Sequence, residues 1–196
     1  MESRRTGKLH VIYGPMFSGK STELLRLKRR SELAKRKTVL FKPIIDDRYA
    51  EDKVVTHDGN TDDALLIQDI EEVLDYVYNL EDISELPDIF IDEVQFLHGD
   101  LSGSALKLIL DGINVTAAGL NTDFRGVPFY GVPELIAIAN TVTRLTAICE
   151  KCGEDAIMTQ RLIDGRPAKL NDPIIYVGGK ENYEARCLEC FELGTD

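Results

Sequence analysis

Apolar residues follow two different periods along the first 142 positions of the chain. Short apolar runs, Leu9–Tyr13, Thr38–Lys42, Ile89–Asp92 and Val115–Leu120, read as buried strands, and Pro43 stops the second. Between them lie stretches with helical spacing. These are Ser21 to about Ala34, with Leu24, Leu25 and Leu27 apolar, then Ile70–Leu80, Ser104–Leu110 and Pro133–Asn140, the last opened by proline. Strand and helix in alternation predict an α/β fold, a parallel sheet with helices on both faces. The polar stretch Asp46–Asp63 has few apolar residues and is expected to be loop-rich and partly mobile. After Val142, cysteine pairs, turn residues and short β-like runs such as Ile174–Val177 replace the alternation. The expected boundary lies near Thr146, dividing 1–146 from 147–196.

Composition narrows the function classes. The balance of 43% hydrophobic and 29% charged residues is that of a globular domain. No run of 18 apolar residues occurs, so no membrane span is expected. Met1–Lys8 lacks the apolar core of a secretion signal, which points to the cytoplasm. A net charge of −11 argues against a broad nucleic-acid surface. An anionic ligand must then be held locally, by oriented N–H groups, a few cations and a metal ion. The basic run Arg26–Lys37 reads as a solvated helix face.

Gly14-Pro15-Met16-Phe17-Ser18-Gly19-Lys20-Ser21 satisfies the pattern Gly-x4-Gly-Lys-Ser. The pattern alone recurs by chance. Here a strand ends before it and a helix starts at its last residue, as phosphate binding requires. Glycines let several N–H groups turn inward, the helix N-terminus adds partial positive charge, Lys20 reaches the terminal phosphates, and Ser21 offers a hydroxyl to Mg²⁺. The bland alternative is a Gly-rich turn with Ser21 as an incidental cap. Asp92 and Glu93 end an apolar strand, where open α/β sheets bind ligands. Asp92 suits Mg²⁺, and Glu93 at the strand terminus suits a general base. Two surface acids after a strand would look the same in isolation.

The chain has four cysteines, Cys149-x2-Cys152 and Cys187-x2-Cys190, with 34 residues between the pairs. Paired spacing of this kind suits a closed, structural Zn²⁺ site in a ribbon-like module, and the lack of a signal peptide argues against disulfides. The long separation implies an insertion, Gly153–Arg186, clamped at both ends.

In this order, the three features resemble the cellular type II thymidine kinase family. The resemblance is carried by Gly14–Leu25, Asp92-Glu-Val-Gln-Phe96, Gly119-Leu-Asn-Thr-Asp-Phe124-Arg, Pro128-Phe129, Val177-Gly-Gly-x3-Tyr183, Asp46-x-Arg48-Tyr49 and His57, and runs from about Lys8 to Cys190. It implies a P-loop α/β domain and a zinc-held module whose lasso loop closes over the nucleoside. It also implies transfer of the γ-phosphoryl group of ATP to the 5′-hydroxyl of thymidine, in nucleotide salvage. By the same resemblance Glu93 takes the hydroxyl proton, Lys20, Ser21 and Asp92 manage phosphates and Mg²⁺, and Phe124 stacks on thymine. Met16, Phe96, Leu120, Phe129 and Tyr183 line the pocket, while backbone groups at Ile174, Tyr176 and Gly178 read the base edges. Arg161 stands at the start of the lasso. Such a pocket favours thymine or uracil, hence also deoxyuridine, and excludes purines by size. A homotetramer and feedback by thymidine triphosphate are further implications. Asn121 stands where the family usually has Asp, and without the family Met16, Phe96 and Leu120 read as ordinary core. Two rival readings are a DNA-dependent P-loop ATPase, in which Glu93 activates water, and a nucleotide-regulated scaffold. A GTPase is disfavoured, because no Asn-Lys-x-Asp occurs.

Overall fold

The structure, a computed structural model, describes residues 6–44, 53–55, 61–80, 86–176, 179 and 181–195. In chain order the first elements are β1 (Leu9–Gly14), α1 (Lys20–Leu33), β2 (Thr38–Pro43), β3 (Lys53–Val55), β4 (Thr61–Asp63), β5 (Leu65–Ile67) and α2 (Glu71–Tyr78). They are followed by β6 (Asp88–Ile91), α3 (Leu101–Leu110), β7 (Val115–Leu120), α4 (Val132–Ile138) and β8 (Thr141–Arg144). Six of the strands form one sheet in the order β5-β2-β6-β7-β1-β8, and every pairing in it is parallel.

Strand residues alternate between two cores, as the pleat requires. Val11, Phe41, Ile89, Ile91, Val115 and Ala117 face one side, with Val73, Val77, Leu101, Leu108 and Leu135 of α2, α3 and α4 packed over them. Their neighbours Ile12, Leu40, Phe90 and Ala118 face the other side, against Leu24 of α1. Near-continuous apolar runs are thus explained by burial on both faces. The expected α/β fold is what forms.

Some sequence expectations need correction. Within Asp46–Asp63, β3 and β4 pair as an antiparallel hairpin, and β5 adds an edge strand that the short run Leu65–Ile67 did not announce. The basic run is not simply solvated. Lys28 is buried, between Glu32 Oε1 at 2.6 Å and Asp62 Oδ2 at 2.7 Å, Arg26 pairs with Glu23, and Arg36 pairs with Asp88. Of the four leucines of α1, Leu24 is fully enclosed, Leu25 and Leu27 are only partly so, and Leu33 is exposed.

Beyond Arg144 the strands are short: β9 (Ala147–Ile148), β10 (Asp155–Ala156), β11 (Met158–Ile163), β12 (Arg166–Pro167) and β13 (Tyr183–Arg186). β9 and β10 form a hairpin, and β11 pairs antiparallel with both β12 and β13. Asp164 and Gly165, both at positive φ, make the two-residue turn between β11 and β12. The insertion Gly153–Arg186 therefore carries four short strands, β10 to β13, rather than being a bare loop. Conversely, Ile174, Ile175 and Tyr176 belong to no strand, and Val177 lies outside the described residues.

Candidate active site

The carboxyl ends of β1, β2, β6 and β7 meet at one edge of the sheet, and the candidate site is built there. β1 ends at Gly14, where a Cβ would stand 2.4 Å from the Leu145 carbonyl oxygen, so no larger residue lets the chain pass. Gly19 then turns into α1 at φ 81°, a left-handed conformation suited to glycine. The loop also closes on itself. Ser18 Oγ and Lys20 Nζ both donate to the Pro15 carbonyl, each at 2.8 Å. Lys20 is buried, which lowers its pKa, while Glu93 and Asp92 oppose the shift.

Asp92 follows β6 and is only 3% exposed. Burial, with the Glu93 carboxylate beside it, pushes its pKa up to about 7 against the Ser21 hydroxyl and Lys20, which favour the charged form. Two carboxyl groups, the buried Asp92 and the half-buried Glu93, thus stand near one ammonium, Lys20. With the oxygens of Ser21 and Asp92 already hydrogen-bonded together, this donor set fits Mg²⁺. Glu93 adopts a left-handed backbone, φ 52° and ψ 39°, which costs a non-glycine residue about 1–3 kcal/mol. The strain is held by its N–H donating to Asp92 Oδ1 at 3.1 Å and its carbonyl accepting from Phe96 N–H at 3.0 Å. The Glu93 carboxylate accepts from Gln95 Nε2 at 2.5 Å.

A cavity of about 350 Å³ joins this edge to the later strands. Its walls include Met16, Phe17, Gly19, Lys20, Ser21 and Glu93 on one side and Phe96, Leu120, Phe124, Phe129, Ile174, Tyr176 and Tyr183 on the other. Its size falls in the range of small-molecule sites, about 300–1,000 Å³. Phe96 and Phe129 meet edge to face, with centroids 5.9 Å apart. Phe124 sits on a turn closed by the Asp123 carboxylate, which accepts from the N–H groups of Arg125 and Val127 at 2.8 and 3.0 Å. The guanidinium of Arg161, 2% exposed, lies 3.8 Å from the Phe124 ring centroid and donates to the Pro173 carbonyl. Tyr183 OH donates to the Tyr176 carbonyl at 2.7 Å, so that carbonyl already holds one partner.

Of the phosphate-loop residues, Gly14, Pro15 and Ser18 shape the turn without forming the cavity wall, and Asp92 lies beneath it. Gly178, Asp46, Arg48, Tyr49 and His57 lie outside the described residues. Sequence reasoning passed over Lys42, Thr122, Thr159 and Gln95. Lys42, a cation at the end of an apolar strand, could have been found by the strand-end rule. Thr159 had no signal; its Oγ1 accepts from Met16 N–H at 3.0 Å, tying β11 to the phosphate loop. Thr122 Oγ1 is buried without a protein partner.

The sequence model described as thymidine kinase matches residues 7–191, nearly the whole chain. The chain belongs to the thymidine kinase family. Kinases of this family phosphorylate thymidine, and ATP with Mg²⁺ is the donor that such chemistry brings to the site.

The four cysteines are in no disulfide. Their Sγ atoms all lie within 4.8 Å of one another. A Zn–S bond of about 2.3 Å sets tetrahedral sulfurs about 3.8 Å apart, so the four thiols fit zinc with little movement. Cys152 and Cys187 are already 3.6 Å apart. Each pair sits in a tight turn, with Gly153 N–H bonded to the Cys149 carbonyl and Cys190 N–H to that of Cys187. Ala147, Ala156 and Ala185 pack around Cys149 and Cys187, and Phe17 of the phosphate loop packs against this small core. Among the described residues, no helix is long and apolar enough to cross a membrane.

Proposed function

We propose that the chain transfers the γ-phosphoryl group of ATP to the 5′-hydroxyl of thymidine, and also of deoxyuridine, in nucleotide salvage. One observation carries this reading: Lys20, Ser21 and Glu93 share a single cavity with an aromatic wall of Phe96, Phe124, Phe129 and Tyr183. A hydrolase needs room for water at Glu93; an enclosed apolar wall beside the base suits a bulky alcohol acceptor instead.

In this reading the loop Gly14–Ser21, through its backbone N–H groups past Met16, and the Lys20 ammonium hold the triphosphate, and Ser21 and Asp92 hold Mg²⁺, which neutralises charge on the phosphates. The acceptor hydroxyl loses its proton to Glu93 as its oxygen bonds to the γ-phosphorus, the bond to the bridging oxygen breaks, and ADP leaves. Thymine rests on Phe124, with Met16, Phe96, Leu120, Phe129 and Tyr183 around it and backbone groups at Ile174, Tyr176 and Gly178 at its edges. Residues 1–146 form the nucleotide-binding domain, and 147–196 cover the thymidine site and exclude water. Zinc at Cys149, Cys152, Cys187 and Cys190 fixes the cover. The reading extends to feedback by thymidine triphosphate, a homotetramer and a cytoplasmic location.

The test is labelled ATP with a panel of nucleosides and with DNA. Thymidine-dependent appearance of the monophosphate is expected; hydrolysis stimulated by DNA and indifferent to thymidine would establish the ATPase instead. Phe124→Ala is expected to raise the thymidine KM by roughly 10- to 100-fold, the scale of one base–aromatic stack, with the ATP KM close to wild type. Equal rises in both constants would put the stacking residue elsewhere.

A further inference from the structure

Gln95 follows Glu93 by two positions on the single 3-10 turn Val94–Phe96, and only 7% of it is exposed. Its side chain spans two elements. Oε1 accepts from Leu120 N–H at 2.9 Å, and Nε2 donates to Glu93 Oε2 at 2.5 Å. The amide cannot be reversed. A backbone N–H only donates, so the oxygen must face Leu120 and the NH₂ must face Glu93. Space for this arrangement is kept by Gly119, where a Cβ would stand 2.7 Å from Gln95 Oε1 and 2.8 Å from Val94 Cγ1. Leu120 itself ends β7 and lines the cavity.

We propose that Gln95 is the positioning residue for Glu93, fixing the carboxylate against the end of β7 so that one oxygen is held and the other takes the acceptor proton. This rests on the reading of Glu93 as the base in thymidine phosphorylation. A glutamate at a strained strand end has freely turning side-chain bonds, and a proton acceptor that wanders by an ångström loses much of its advantage. Gln95 removes that freedom. Because the same amide grips the Leu120 N–H, it also sets the distance between the base and the wall that seats the nucleoside.

The test uses the full, zinc-loaded chain carrying Gln95→Glu or Gln95→Met, each in the wild-type and the Glu93→Gln backgrounds. Gln95→Glu keeps an acceptor for Leu120 N–H but removes the donor to Glu93, which separates a role in holding β7 from a role in holding the base. Both variants are expected to lower kcat by about 10- to 100-fold while the KM values for ATP and thymidine stay near wild type. In the Glu93→Gln background neither is expected to lower the residual rate further, because there is no base left to position. Wild-type kcat for the Gln95→Glu protein, or the same fractional loss with and without Glu93, overturns the proposal. Should Gln95→Glu fail to fold, Gln95→Met carries the same two comparisons. A Glu93→Gln protein with full turnover would instead remove the base, and the positioning role with it. A Glu93→Gln protein that is inactive beside a fully active Gln95→Glu protein removes the positioning role alone.

Discussion

Glu93→Gln is expected to lower kcat for thymidine phosphorylation by about 10²- to 10⁴-fold, the usual contribution of a general base, while binding of ATP and thymidine persists. The substitution is close to silent structurally. A glutamine at position 93 still offers an amide oxygen to Gln95 Nε2, and it meets the same left-handed backbone, φ 52°, without further strain. Lys20 keeps its bond to the Pro15 carbonyl, and Ser21 its bond to Asp92. What disappears is the carboxylate that takes a proton, while the buried Asp92 remains. The loss should therefore fall on kcat, with KM little changed. Steady-state kinetics paired with equilibrium binding of each substrate decide the matter. Turnover near wild type would show that Glu93 is not the base.

Much of the main sheet was legible because its strands obey simple rules. Val11 and Ile12, Ile89 and Phe90, and Ala117 and Ala118 point to opposite cores, so their runs are apolar throughout and stand out from the amphipathic helices. Elements that failed to stand out were short or held from outside. β5 has three residues and is secured by its register with Phe41–Pro43. β3 (Lys-Val-Val) and β4 (Thr-Asp-Asp) have three residues each and pair with each other. The hairpin of β11 and β12 had a readable turn, Asp164-Gly165, but its flanks, Leu162-Ile163 and Arg166-Pro167, show no alternation that would mark strands.

The site divides along the same line. Glycines 14 and 19, Lys20, Asp92 and Glu93 are adjacent in sequence because one strand–loop–helix unit and one strand end must present them together. Gln95 is as close in sequence, yet its role needs a partner, Leu120 N–H, 25 residues away. Thr159 meets Met16 across 143 residues. Arg161 was placed by the resemblance at the start of the lasso, but nothing in the sequence named its partners. Here the guanidinium is nearly fully enclosed and stacked on Phe124, with Asp172 at 3.8 Å as its acidic neighbour. Long-range side-chain partners of this kind leave no periodic trace.

Removing zinc is expected to abolish thymidine phosphorylation and to weaken ATP binding as well. The core of the module consists of alanines and cysteines, Ala147, Cys149, Ala156, Ala185 and Cys187, which bury little apolar surface. Strands of two to six residues around it supply few backbone bonds. A structural zinc, contributing about 10–16 kcal/mol, is then the main source of order there. Loss of that order cannot stay local. Phe17 leans on the cysteine core and Thr159 holds Met16 N–H, so two residues of the phosphate loop depend on the module being in place. Metal analysis should give one zinc per chain, since all four cysteines converge on one point. Chelated protein and Cys187→Ser, compared by ATP-binding calorimetry and by the thymidine assay, should lose both functions together. Metal-free protein with full activity would overturn the structural zinc. Intact ATP binding beside a lost thymidine reaction would keep the zinc but sever its link to the phosphate loop, leaving the module to act on the acceptor side alone.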